Sequence, residues 1–140
     1  MIELIILGDP VAQQRPKFNS HTKRAYDPKE SKAYKRMVAG KASLMYHDEL
    51  INYPMRVEID VYRSNQKGTS KKQIDLRERK LVLPTKKPDA TNYAKGIEDA
   101  LTEVVWKDDN LIVESETRKY YSVTPRIEVR IYEIGDHETC

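Results

Sequence analysis

The chain has 140 residues, of which 39% are hydrophobic and 34% charged, with a formal net charge of +3. That length suits one domain, residues 1–140, with a modest core, and no apolar run is long enough to span a bilayer. The single cysteine, Cys140, excludes an internal disulfide and a cysteine-based zinc site, and points to a reducing, cytoplasmic setting.

The opening MIELIILGDP lacks the basic start of a signal peptide and reads as a buried strand ending at Gly8-Asp9-Pro10. VAQQRPKFNSHTKRAYDP has little periodicity and many turn formers, which predicts an extended loop or a short hairpin. A helix should follow, with Asp27 as its cap, Pro28 at the first helical position and Glu30 three residues after the cap. Tyr34, Met37, Val38, Leu44 and Met45 form its apolar side, Gly40 is its weak point, and it fades near His47 to Glu49. MRVEIDVYR alternates strictly, Val57, Ile59 and Val61 against Glu58, Asp60 and Tyr62, as a half-buried strand does. The basic segment 64–85 reads as a long connection.

A second helix is expected from about Ala90 to Val104, packed through Tyr93, Ile97, Ala100, Leu101 and Val104. LIVESETRKYY and PRIEVRIYEI then read as two strands joined at residues 122–125, an antiparallel hairpin. The fold class is therefore α/β, a mixed sheet with two main helices in the order β-α-β-α-β-β.

Charge is unevenly distributed along this order. Residues 15–36 hold eight basic and two acidic side chains, and residues 63–87 hold nine and two. From residue 88 onward there are six basic and twelve acidic side chains. Basic clusters favour phosphate backbones, since each neutralised phosphate releases counterions; they are equally the mark of solvated loops.

The acidic half contains the candidate site. Asp89 stands at a helix start, where a carboxylate ordinarily caps free N–H groups. Asp108 and Asp109 follow that helix and ordinarily make a polar turn. Brought together at one end of a sheet, such carboxylates would repel unless a cation compensated. Magnesium binds through one or two carboxylates, and it can activate water against a phosphodiester. Asn92, Lys95 and Asp99 lie at spacings of three and four and form a stripe on the helix, apart from its packing side. Lys95 is then either half of a Lys95–Asp99 pair or the group that meets a phosphate. His21 and His47 lack metal-ligand spacing, and with His137 they are read as surface residues.

KPDATNYAKGIEDAL followed by WKDDNLI resembles the core signature of the RusA family of Holliday-junction resolvases, K-P-D-x-D-N-x-x-K-x-x-x-D-x-L and then D-D. GDPVAQQRPKF resembles the G-x-P-x-x-x-x-R-P segment of family members, so the likeness runs through most of the chain in order. The resemblance implies a small, dimeric, magnesium-dependent endonuclease, often phage or prophage encoded. Such an enzyme binds four-way DNA junctions and makes paired nicks in recombination and repair; manganese is the alternative ion. By position, Asp89 and Asp109 match catalytic, metal-binding aspartates and Lys95 the essential lysine. Asp108 is a further metal candidate, and Asn92 and Asp99 match other motif positions. Thr91 stands where the family pattern has an aspartate. Either Asp108 or Asp99 compensates, or metal affinity is lower, or activity is lost. The DNA contacts implied are Arg15, Lys17, Lys23, Arg24, Lys71, Lys72, Arg77, Arg79, Lys86 and Lys87. Two other readings are a branched-DNA-binding protein that does not cut, and a single-strand nucleic-acid-binding module that stacks bases on Tyr120 and Tyr121.

Overall fold

The computed structural model describes residues 1–135, so His137 and Cys140 lie outside the described residues. The elements run β1 (Ile2–Leu7), β2 (Lys17–Asn19), β3 (Arg24–Tyr26), α1 (Lys29–Met45), β4 (Met55–Arg63), α2 (Lys71–Glu78), α3 (Ala90–Leu101), β5 (Ile112–Tyr121) and β6 (Arg126–Glu133). Four strands form a mixed sheet in the order β1-β6-β4-β5, and β2 and β3 pair separately as the short hairpin. Among the described residues no helix is long and apolar enough to cross a membrane.

Alternation decides the layers. Leu4 and Ile6, Val57, Ile59 and Val61, and Ile127, Val129 and Ile131 are all buried and join one core. Tyr34, Val38 and Ala42 of α1, and Tyr93, Ala94, Ile97, Ala100 and Leu101 of α3, complete it from the helical side. Burying each of the larger aliphatic side chains stabilises the fold by about 1.5–3 kcal/mol. Trp106, fully buried, closes the core past α3 and donates Nε1–H to Thr102 Oγ1 at 3.1 Å.

The opposite face of the sheet is not open to water in the way a simple alternating strand predicts. Asp60 is only 7% exposed. Arg118 and Arg130 reach its two carboxylate oxygens at 3.0 and 2.7 Å, and Arg56 and Arg130 hold Glu58 at 3.1 and 3.2 Å. Those partners keep the Glu58 carboxyl down to about 2, the Arg56 hydrogen bond leading. The face is thus a layer of ion pairs, with Glu58 and Asp60 covered by guanidinium groups rather than solvent.

Four expectations need correction. The last two strands are not partners: β4 lies between them, parallel to β5 and antiparallel to β6. Two inter-strand spacings amount to about 10 Å, within reach of the four-residue connection at about 13 Å. Ser122 N–H donates to Arg63 O at 2.8 Å as that connection passes the end of β4. Asp27 does not cap α1: Pro28 holds the cap position without a side-chain bond, while Asp27 binds Lys35 at 2.7 Å. That ion pair is the stronger claim on the carboxylate. Leu44 and Met45 are exposed because α1 ends at Met45, beyond the reach of the sheet. The connection 64–85 contains α2, capped by the Ser70 hydroxyl accepting from Gln73 N–H at 3.2 Å. With no buried residue, α2 carries little of the apolar periodicity that marks a helix.

Candidate active site

The segment before α3 is tied down by two cations. Arg63 donates to the carbonyls of Lys86 and Lys87 at 3.2 and 3.3 Å, and Lys119 donates to those of Lys86 and Pro88 at 3.3 and 3.0 Å. The Lys87–Pro88 peptide is cis. Asp89 then caps α3 as expected, its Oδ1 accepting from Asn92 N–H at 3.1 Å. Its Oδ2 accepts no hydrogen bond among the described residues. After the helix, Asp108 Oδ1 accepts from Asn110 N–H at 2.9 Å and caps a 3-10 turn, Asp109–Leu111, which delivers the chain into β5.

Two cavities flank the start of α3. The smaller, about 520 Å³, is lined by Ala90, Thr91, Ala94, Lys95, Glu98 and Asp99 from the helix, with Asp109 and with Ser115 and Thr117 of β5. The larger, about 1040 Å³, holds Asp89, Asn92 and Tyr93 against the 9–15 segment and residues 63–66. The motif is therefore divided. Lys95, Asp99, Asp109 and Thr91 share the smaller cavity, while Asp89 and Asn92 face the larger one. The stripe through Lys95 and Asp99 begins at Thr91, one helical turn before Lys95, and not at Asn92.

Glu98 belongs to this stripe too, seven residues after Thr91. Glu98 is no motif position, and its signal in the sequence is the i, i+4, i+7 spacing from Thr91 through Lys95. Ser115 and Thr117 became visible only once β5 was placed.

The electrostatics of the smaller cavity are those of crowded carboxylates. Burial raises the Glu98 pKa, and the charges of Asp109 and Asp99 raise it further. Asp109 is raised above the ordinary carboxylate range by a hydrogen bond with Asp108, then by burial and by the charges of Asp108 and Asp99. Asp99 takes part in an ion pair with Lys35 at 3.8 Å, not with Lys95. Lys95 has no ion pair among the described residues and faces the cavity. No group of three or more His, Cys, Asp or Glu side chains is arranged to hold a metal ion among the described residues. What is present fits one hard cation held by one or two carboxylates, with water and a phosphate supplying the rest.

The basic candidates separate by partner. Arg15, Lys17, Lys23, Arg24, Lys71, Lys72, Lys86 and Lys87 are exposed. Arg79 is exposed beside Asp75 at 3.5 Å. Arg77 is instead an internal brace, donating to Asn65 at 3.1 Å and Gln66 at 2.7 Å and lying 3.8 Å from the centre of the Tyr121 ring. Tyr121 is buried beneath it, and Tyr120 lies against Tyr62 at 5.3 Å under Lys80, so neither tyrosine offers a free face to bases.

The family of endodeoxyribonuclease RusA matches residues 8–132. The chain belongs to the RusA family. A relative in Bacillus subtilis (strain 168), the uncharacterized protein YqaN, is 39% identical over 138 residues, covering 96% of this chain and 97% of that protein. The match spans both cavities, β1 apart, and places the chain among endonucleases of the Holliday-junction resolvase type.

Proposed function

We propose that this RusA-family chain is a divalent-metal-dependent endonuclease, with magnesium or manganese as its ion, that nicks four-way DNA junctions in symmetric pairs as a homodimer. The observation that carries the reading is the smaller cavity, which gathers Lys95, in no ion pair among the described residues, with the carboxylates of Glu98, Asp99 and Asp109. Bound there, a divalent cation would supply Lewis-acid activation of water and neutralise charge on a phosphodiester. Asp109 is its principal ligand in this reading, with Asp99 or Glu98 of the same cavity as the second. Thr91 contributes a neutral oxygen donor at most. Lys95 stabilises the negative charge that develops on the phosphate. Asp108, committed to its turn, orients Asp109. Dimerisation follows from the chemistry: paired nicks need two sites facing opposite strands, and a two-fold junction suits a two-fold protein.

Incubation with a synthetic four-way junction tests this directly. Cleavage should vanish in a chelator and return with magnesium, and Asp109→Asn should abolish nicking while leaving junction binding within about twofold, since phosphate contacts supply most of the affinity. Full nicking in the chelator would exclude the mechanism. Binding without nicks at any metal concentration would favour a non-cutting junction binder, the outcome that Thr91 makes worth separating. Sedimentation showing only monomer, free and on the junction, would count against paired cutting.

A further inference from the structure

Phe18 is the only phenylalanine of the chain, and it stands 67% exposed on β2. Tyr26, on β3, is 48% exposed. The two strands pair with register Lys17–Tyr26, Phe18–Ala25 and Asn19–Arg24. Phe18 therefore shares its face with one methyl group, and Tyr26 shares the other with Lys17 and Arg24. Most of the Phe18 side chain and about half of Tyr26 are therefore open to solvent.

The hairpin is nonetheless ordered at both ends. At its tip the Asn19 side chain accepts from His21 and Thr22 N–H at 2.9 and 3.2 Å, and Lys23 N–H closes on Asn19 O at 2.7 Å. At its root both strands lead into the site. On one side Gln13 N–H donates to Asn92 O of α3 at 3.0 Å. On the other Asp27 binds Lys35, which in turn reaches Asp99. Gln13 Nε2–H ties the two roots together, donating to Asp27 Oδ1 at 3.3 Å. Both roots are thus tied to α1 and α3, and each strand of the arm is about 10 Å long, the length of three strand residues.

Its charges are free. Arg15, Lys17, Lys23 and Arg24 join no ion pair among the described residues, whereas Arg56, Arg118, Arg126 and Arg130 of the sheet are all neutralised by carboxylates. An exposed aromatic ring among free cations suits a polyanion that also offers flat apolar faces, which is nucleic acid with accessible bases. A continuous duplex keeps its base faces stacked, while an open branch point interrupts that stacking and lowers the cost of exposing a base face.

We propose that the β2–β3 hairpin is a stacking arm, with Phe18 laid against an exposed base at the branch point and Lys17, Lys23 and Arg24 on the flanking phosphates. This rests on the reading of the chain as a junction endonuclease but concerns how a branch is told from a duplex. The test is run in chelator, so that it is independent of cutting. A four-way junction carries 2-aminopurine at the branch or ten base pairs into one arm, and junction and duplex affinities are measured alongside. Wild-type protein should change the fluorescence at the branch and not in the arm. Phe18→Ala should abolish that change and lower the junction-to-duplex affinity ratio by about tenfold. Phe18→Trp should restore both. Lys17→Ala with Arg24→Ala should weaken junction and duplex alike. An unchanged ratio in Phe18→Ala, or no branch-specific signal in wild type, overturns the proposal. So does conversion of Phe18→Ala to monomer with an unchanged ratio, which would make this face a contact between copies of the chain. A protein that reads the branch but never nicks would overturn the nuclease reading and leave the arm standing.

Discussion

Thr91 and Glu98 each sit about one turn from Lys95 on the same wall, and they hold opposite lessons about charge. Thr91 is exposed and neutral in the first turn of α3, where added negative charge is favourable by about 0.3–1 kcal/mol. Thr91→Asp also brings that charge to a cavity already crowded by Asp99 and Asp109. A cation turns the repulsion into affinity. The substitution is therefore expected to lower the magnesium concentration for half-maximal nicking and to make the melting temperature more metal-dependent, as a metal titration of both proteins on one junction will show. An unchanged metal requirement would place Thr91 outside the metal shell. Glu98 has a raised folded pKa. Between its ordinary value and that raised value the folded chain binds the extra proton, so stability falls as pH rises through the window. Above it the full penalty is present. Glu98→Gln should thus raise the metal-free melting temperature at pH 7, and the gain should shrink as pH falls through that window and be gone below the ordinary carboxylate range. A melting temperature unchanged at pH 7 would mean that water, not protein, surrounds this carboxylate.

The helices differ in what holds them. α3 is capped by Asp89 and buries one whole side, while α1 lacks a side-chain cap and carries Gly40 in its exposed middle. Nothing lies within 4 Å of a Cβ built on Gly40. Gly40→Ala should therefore stabilise the protein by about 0.5–1 kcal/mol through helix propensity alone, measured as a shifted urea midpoint with unchanged slope. A loss of stability would mean that this stretch of α1 meets something outside the chain. The same contrast explains what could be read in advance. β4 and α3 are legible because each packs one side against the core and so keeps its period, and β1 because its apolar run stops at Gly8-Asp9-Pro10. α2 buries no residue, leaving no period to read. The pairing of β5 was illegible for another reason: adjacency in sequence favours a hairpin, and only the competition for both edges of β4 decides otherwise. The site shared this fate. Lys95, Asp99 and Asp109 were found by motif, but the separation of Asp89 and Asn92 into a second cavity depends on where the 9–15 segment lies across α3.

Across the molecule, net charge says little and pairing says more. Arg56, Arg118, Arg126 and Arg130 of the sheet are spent on Glu58, Asp60, Glu116 and Glu128, so they release no counterions on meeting DNA. Lys71 and Lys72, exposed in the first turn of α2, are free to do so. Replacing both with alanine should flatten the slope of log affinity against log salt by about 1.8, if both contact duplex phosphates. Replacing Arg118 should leave the slope alone and lower the melting temperature instead. An unchanged slope in the lysine variant would assign α2 to a face turned away from DNA. The sheet order carries one more consequence, for synthesis rather than binding. Among the described residues β1 has β6 as its only strand partner, so the first strand translated is bridged by the last. At roughly 5–20 residues per second, the backbone edge of β1 waits on the order of ten seconds for its partner. During that interval its apolar Leu4 and Ile6 can rest on α1, but its hydrogen-bonding groups have only water, and the chain cannot close its sheet until translation of β6 is complete.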